Sequence, residues 1–449
     1  MLLLEYGTDA PIMGAMSLLN LGSLAGCFVL AALAWAAGGC RRPLAWRTVL
    51  GAGALLLSLG AAVFLLPPTR PLLVAVNDGV IAVLEAGNSG ARFLFGPLAL
   101  DRGESTPGGE PSVGFVLAAQ VLPAVIFFSA LMALLYHLRV VQPLVRLFGR
   151  LFHKAMGLSG AEALSGSANI WVGVESALVV RPYLERMTPS ELLTVLTCGM
   201  CTVASTTLAI YVAFLKDPFP QIAGHLLSAS VIAIPAGALM SKLMLPQTRS
   251  PVTAGVLPEM EETSREPSAM AALTAGSWDG LKLAAGIATL LIAVLGLVGL
   301  VDLFLGKVTA PLAAPGEPPL SLGRILGWPF LPLAWLLGLP PSDVGTAARI
   351  LGERAVLGEV VAYRHLGELA ASRAVSERAL VVLSYALCGF AHLASIGIFV
   401  GGTAVLAPSR RNDLAALAWK SFVAATLATL LTGAVAGIFY HGQRGVLGV

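Results

Sequence analysis

Asn169-Ile-Trp-Val-Gly-Val-Glu175 places a carboxylate well inside an apolar run. That run, residues 159–184, also contains Gly160, Gly166 and Gly173. It is too short and too interrupted to cross a bilayer twice as regular helix, because glycine and proline break helices and a crossing needs about 20 apolar residues. A second stretch of the same character, residues 322–363, holds Gly327, Pro329, Pro332, Pro340 and Pro341, and then Glu359. Broken backbone at membrane depth survives only where protein or a wet cavity surrounds it. Both stretches therefore read as re-entrant helical hairpins.

The remainder of the chain supplies the bilayer setting. Of 449 residues, 57% are hydrophobic and only 12% are charged, against roughly 25% charged in a soluble domain. A soluble enzyme, a disordered chain and a secreted disulfide scaffold are excluded. The net charge of +3 is small and diffuse, which argues against a nucleic-acid partner. Eight stretches without Asp, Glu, Lys or Arg approach or exceed membrane-spanning length: 10–40, 48–69, 111–138, 192–215, 218–241, 283–301, 379–409 and 421–443. The leading region is acidic (Glu5, Asp9), unlike a secretory signal. Residues 71–100 mix Leu and Val with Asn77, Asp78, Glu85, Asn88 and Arg92, and read as an interfacial amphipathic helix. Residues 248–277, with Glu259, Glu261, Glu262 and Glu266, read as a polar cytoplasmic loop. Arg41, Arg42 and Arg47, then Arg139, Arg146, Arg150 and Lys154, then Arg410 and Arg411, alternate along the chain so that both termini lie outside the cytoplasm. Arg349, Arg354, Arg364, Arg373 and Arg378 fall on the other side.

The two hairpins head similar blocks. After Glu175 come a polar joint at 185–190, a span interrupted around Cys198–Gly199 and a further span. After Glu359 come a joint at 364–378, a span interrupted around Cys388–Gly389 and a further span. The hairpins enter from opposite sides, which makes an inverted repeat, the plan many secondary transporters use with substrate near the midplane. The fold class is therefore all-α integral membrane: eight transmembrane helices, two re-entrant hairpins and one interfacial helix. The expected division is 1–158 as N-terminal scaffold, 159–247 as first hairpin with the fourth and fifth spans, 248–277 as loop, 278–320 as sixth-span scaffold, and 321–449 as second hairpin with the last two spans.

Glu175 and Glu359 are the leading candidates for chemistry, since a charge inside the membrane is costly and normally faces a cavity. The ordinary alternative is a structural ion pair, with Arg181 or Arg354. Asn169, Thr206 and Thr207 are oxygen donors beside suspected breaks, suited to a hard cation such as sodium or to a plain interhelix hydrogen bond. His392, between Phe390 and Ser395, can bind substrate, shuttle protons or simply pack. Cys198-Gly-Met-Cys201 has redox spacing but sits inside a span without partner ligands. No HExxH or Walker loop occurs, and no nucleophile–base set suggests an enzyme.

These residues resemble the concentrative nucleoside transporters. The likeness is carried by Gln120-Val-Leu-Pro-Ala-Val-Ile-Phe-Phe-Ser-Ala-Leu-Met-Ala-Leu-Leu-Tyr136, Asn169-Ile-Trp-Val-Gly-Val-Glu175, Arg181-Pro-Tyr-Leu-Glu-Arg-Met-Thr-Pro-Ser-Glu-Leu192 and Leu357-Gly-Glu-Val-Val-Ala-Tyr363. Ser384-Tyr-Ala-Leu-Cys-Gly-Phe-Ala-His-Leu-Ala-Ser-Ile-Gly397 and Ala407-Pro-Ser-Arg-Arg-Asn-Asp413 complete it, in order, over nearly the whole chain. The resemblance implies a homotrimer in a bacterial inner membrane. It also implies cation-coupled nucleoside uptake, with sodium favoured because Asn169 is kept and protons as the alternative. It assigns Asn169, Val172, Thr206 and Thr207 to sodium. Gly173, Val174 and Glu175 go to the nucleobase side, Glu359 to ribose hydroxyls, and Phe390, His392 and Ser395 to the sugar and base site.

Two departures bear on the substrate. Where the family has Gly-Gln-Thr/Ser-Glu at the first tip, this chain has Gly173-Val174-Glu175. One residue, about 3.3 Å of extended chain, and both polar base-reading side chains are missing. His392 replaces an Asn. A site stripped of its hydrogen-bonding partners accepts a different set of solutes. The competing expectations are a modified nucleoside or sugar-like solute with proton coupling, and a membrane sensor that binds without transporting.

Overall fold

The computed structural model describes residues 17–66, 69–101, 103–106, 108–258, 266–309 and 320–442. Among them the only extended pairing is an isolated bridge between Ser105 and Pro111; everything else regular is helix. Among the described residues, seven helices are long and apolar enough to cross a membrane by length and composition.

The chain opens with α1 (Leu18–Ala37) and α2 (Trp46–Leu65), followed by α3 (Arg70–Phe95). Helix α3 buries Asn77, Leu84 and Ala91 on one side, the seven-residue repeat of an amphipathic helix with one apolar stripe. By length and composition it also passes as a span. The single turn α4 (Leu117–Gln120) leads into α5 (Leu122–His137) and then α6 (Val141–Met156). Sequence reading registered α6 only as a basic segment. It is a three-striped helix. Val141, Val145, Phe152 and Met156 are buried, Leu144, Leu147 and Leu151 are exposed, and Arg146, Arg150 and Lys154 recur every fourth residue.

The first hairpin is α7 (Gly160–Val172), a 3-10 segment Gly173–Val180 and α8 (Arg181–Leu184), within the expected limits. Ser159 and Glu162 form a capping box that starts α7, satisfying two amides that would otherwise be left without partners. Thr188 and Glu191 do the same for α9 (Pro189–Cys201), with Pro189 in the first turn. The fourth span is completed by α10 (Ser205–Leu215), and the fifth is α11 (Ile222–Met244). The break between α9 and α10 falls at residues 202–204, not at Cys198–Gly199. Gly199 serves packing instead: a Cβ there would lie 2.6 Å from the Phe399 ring.

Helix α12 (Ala269–Thr309) runs for 41 residues, extending well beyond the predicted span 283–301 and beginning inside the predicted loop. The polar residues there do not end it, since Asp279 and Lys282 pair one turn apart at 2.8 Å on its exposed side. It lies along α5, with Gly276 and Gly280 packed directly against Ser129, Ala130 and Ile126. Helices α1 and α2 pack instead on α11 and on the last helix.

The second hairpin differs from expectation at both ends. Residues 322–335 form two short helices, α13 (Leu322–Gly327) and α14 (Leu331–Trp335), which pack on α15 (Pro341–Leu357). The hairpin proper is α15 followed by α16 (Glu359–Ala371), joined at Gly358 with φ +100°. Residues 364–371, expected as a polar joint, stay helical: Leu366 and Gly367 are buried, while Arg364 and Glu368 pair at 2.9 Å on the exposed face. The seventh span is α17 (Glu377–Ala386) and α18 (Leu393–Leu406), broken over 387–392 as anticipated, and α19 (Arg411–Phe439) closes the fold.

Candidate functional site

The two broken spans meet. The Phe390 N–H of the second break donates to the Thr202 carbonyl of the first at 3.4 Å. Gly389 allows this approach: a Cβ there would stand 2.8 Å from the Cys201 carbonyl oxygen. Both hairpin tips come to this meeting place. The first is carried there by Gly173, at φ +67°, where a Cβ would lie 2.7 Å from that of Ala204. The second arrives as Glu359, the first residue of α16.

Glu359 is buried, with its side chain 5% exposed. Its Oε1 accepts from the Tyr211 hydroxyl at 3.1 Å. Its Oε2 has no hydrogen-bond partner among the described residues, and His392 Nε2 stands 3.2 Å from it, at ion-pair distance. Neither neighbour is a guanidinium, so Glu359 is not the structural ion pair that the arginine-rich α15 allowed. Tyr211 stacks on Tyr363 with ring centroids 4.3 Å apart, and Tyr363 donates to the Ser384 carbonyl at 2.6 Å. Four elements (α10, α16, α17 and the second break) thus hold one carboxylate. Sequence reading missed Tyr211. A phenol in an apolar helix needs a partner for its hydroxyl, but the sequence does not say which one.

His392 is the N-cap of α18 and is buried; its ring lies 6.0 Å from that of half-buried Phe390. The His392 N–H donates to Ser395 Oγ at 3.4 Å, which helps to start α18, and the Ser395 hydroxyl donates to the His392 carbonyl at 2.6 Å. The structure therefore brings Glu359, Phe390 and His392 together and gives Ser395 a capping contact.

The second cluster centres on Asn169, buried at the last turn of α7. Its Nδ2 donates to the carbonyls of Cys198 at 3.1 Å and Gly199 at 3.4 Å, and to the Thr202 hydroxyl. Its Oδ1 accepts from the Ser176 hydroxyl at 3.1 Å. Thr202 and Ser176 were not among the expected residues. Thr207 Oγ1 donates to the Ala204 carbonyl at 3.1 Å, three residues earlier in the chain. The side chains of Val172, Val174, Glu175 and Thr206 lie outside the described residues; the backbone of Val172 ends α7, where carbonyls lack intrahelical donors. Cys198 and Cys201 are buried free thiols packed against α11.

At the far end of α7 the buried Glu162 pairs with Lys242, and Lys242 Nζ also donates to Ser190 Oγ at 3.0 Å. A polar cavity of about 310 Å³ opens beside this pair, lined among others by Arg47, His153 and Lys154. It lies at the base of the hairpin, away from Glu359.

Comparison with known proteins gives a consistent answer. Sequence profiles described as Na+ dependent nucleoside transporter N-terminus, nucleoside recognition and Na+ dependent nucleoside transporter C-terminus match residues 25–98, 118–218 and 225–437. The chain is 34% identical to the nucleoside permease NupC of Helicobacter pylori, over 94% of this chain and 98% of that one. It is 32% identical to sodium/nucleoside cotransporter 1 of Rattus norvegicus, over 95% of this chain and 65% of that one. The solved structure of CNTnw in an inward-facing substrate-bound state shares 36% identity and superposes with a TM-score of 0.83, covering 94% of this chain and 98% of that one.

Proposed function

The chain belongs to the concentrative, Na+ dependent nucleoside transporter family, whose members are multi-pass membrane transporters rather than enzymes, and on that premise we propose that it imports a nucleoside-like solute, coupled to sodium, by alternating access. The observation that carries this reading is Glu359: a carboxylate buried where the second hairpin tip meets both broken spans, held by a phenol and an imidazole and, among the described residues, by no arginine. Solute hydroxyls take over the donor positions that Tyr211 and His392 occupy around it. Phe390 offers a ring face to the base or sugar, and Gly173, Val174 and Glu175 form the opposite wall. Ser395 keeps His392 in place by starting α18.

Sodium fits the other cluster by donor chemistry. The Asn169 amide nitrogen already sits among three oxygens, those of Cys198, Gly199 and Thr202. A hard cation seeks such oxygens, and a half-turn of the amide presents its own oxygen to the same place. We assign the ion to Asn169, the Val172 carbonyl, Thr206 and Thr207, and add Thr202 as the hydroxyl in contact with Asn169. An ion there joins the first hairpin to the fourth-span break, beside the backbone contact to the second break. Preference of sodium for that joined state by about 1–3 kcal/mol is a typical coupling. The protein works as a homotrimer in a bacterial inner membrane with both termini outside the cytoplasm.

Uptake of labelled uridine and adenosine into proteoliposomes, with sodium or choline outside, tests the reading. Sodium-driven accumulation is expected, and Glu359→Gln should abolish it while the purified protein stays monodisperse; retained uptake by that variant sinks the site. One observation favours a second reading, proton coupling of a related solute: an imidazole within 3.2 Å of the carboxylate can carry a proton with it. Accumulation driven by a pH gradient in sodium-free buffer selects that alternative.

A further inference from the structure

The two hairpins carry different side chains at the same place in the repeat. Four residues before the first tip glycine, Gly173, stands Asn169; four residues before the second, Gly358, stands Arg354. Each tip glycine N–H donates to the carbonyl of that residue. Each side chain then reaches the end of a first half-helix: Asn169 Nδ2 donates to the Cys198 carbonyl of α9 at 3.1 Å, and Arg354 Nη1 to the Ala386 carbonyl of α17 at 3.2 Å. A threonine hydroxyl completes each set, Thr202 for Asn169 and Thr429, at 2.6 Å, for Arg354.

The difference is charge. The carbonyl end of a half-helix carries partial negative charge and attracts cations. In the first repeat a neutral amide stands there. In the second stands a guanidinium that is 0% exposed, whose two hydrogen bonds go to a carbonyl and a hydroxyl rather than a carboxylate. Its Nε and Nη2 have no hydrogen-bond partner among the described residues. Holding a full charge out of water without a paired counter-ion is costly. Such a charge persists where the surrounding field favours it, and the field here combines the α17 carbonyl end with Glu359, five residues along the same hairpin.

We propose that Arg354 is a tethered cation that does in the second repeat what a sodium ion does in the first. It neutralises the open end of α17 and ties the second hairpin to the seventh-span break, so only the first hairpin needs a mobile ion. One sodium per solute follows. The proposal rests on the sodium reading of the Asn169 cluster, and Arg354 is a positioning residue in it, with no contact to solute required.

The test uses the full-length purified protein with Arg354→Lys and Arg354→Gln. Melting is followed in sodium chloride and in choline chloride at equal ionic strength, and uptake is measured against sodium concentration. Arg354→Lys should keep the wild-type sodium dependence, with a Hill coefficient of about 1. Arg354→Gln should lose about tenfold or more of its uptake at low sodium. It should also gain a larger sodium-specific melting shift than the wild type and show a Hill coefficient approaching about 2, as a second ion enters. Equal sodium-specific melting shifts in Arg354→Gln and wild type overturn the proposal, as does Arg354→Lys impaired as badly as Arg354→Gln. Should Arg354→Gln fail to fold, Arg354→Ala prepared with methylguanidinium replaces it: recovery of folded protein with that cation over choline supports the assignment, and equal recovery overturns it. A wild type without sodium-stimulated uptake defeats the proposed function, whereas the melting comparison still decides the need for charge at residue 354.

Discussion

Gly173 shows how much a single residue decides here. Its φ of +67° with ψ −136° falls where glycine alone sits easily, at a cost of about 1–3 kcal/mol to a residue with a Cβ, and the Cβ would also collide with Ala204 at 2.7 Å. Gly173→Ala should therefore lower the melting temperature and weaken the sodium-specific stabilisation together, because the displaced tip pulls α7 and Asn169 from the fourth-span break. A thermal scan in sodium and choline reads both effects, and an unchanged sodium increment would separate the tip from the ion cluster. At this scale the chain was legible in part. Glu359 stood out because a carboxylate in an apolar run has few innocent explanations. Tyr211, Ser176 and Thr202 did not, because hydroxyls are common in membrane helices and only their partners distinguish them. Tyr211 comes to Glu359 across 148 residues of chain, a pairing that no local pattern encodes.

Among the helices, α12 is the most instructive. Apolar residues cluster near its middle, so a reading by hydropathy stops where Asp279 and Lys282 begin, although the helix continues through them. Its register on α5 is set by Gly276 and Gly280, spaced four apart so that two backbones approach closely. Gly280→Leu should force α12 off Ile126 and Ser129 and cost on the order of 1–3 kcal/mol, the usual range for overpacking. A depressed melting temperature with normal far-ultraviolet circular dichroism is the expected signature. The same limit explains the second hairpin. Gly327, Pro329 and Pro332 marked breaks correctly, but α13 and α14 are only 6 and 5 residues long, so sequence alone could not tell which breaks bound the hairpin. Periodicity locates α16 only once its exposed Arg364–Glu368 pair is read as surface rather than as a joint.

The whole molecule is tied together by a buried arginine. Arg378, at the start of α17, donates to the Gly338 carbonyl at 2.7 Å, Asn20 Oδ1 at 2.7 Å, Ser23 Oγ at 3.1 Å and the Gly437 carbonyl at 2.9 Å, linking α1, α17, α19 and the loop before α15. Asn20 Nδ2 extends the network to the Ile438 and Tyr440 carbonyls, both at 3.0 Å. Arg378→Met strands several buried acceptors, each worth about 1–3 kcal/mol when left unmade, so a large drop in melting temperature is expected, insensitive to sodium because the network is remote from Asn169. By itself the sequence determined the environment and the plan. An apolar excess that only lipid can host, glycine- and proline-broken stretches that only a protein interior can host, and two acids too costly to keep idle together specify a re-entrant, repeated helical transporter. Which residues meet was decided by the tertiary structure. The two breaks join through Phe390 and Thr202, Glu359 takes a phenol and an imidazole rather than an arginine, and the two repeats place an amide and a guanidinium at matching sites. Burial and charge are properties of a segment and can be read along the chain, whereas a hydrogen bond depends on distance and direction between segments, which exist only after the helices have packed.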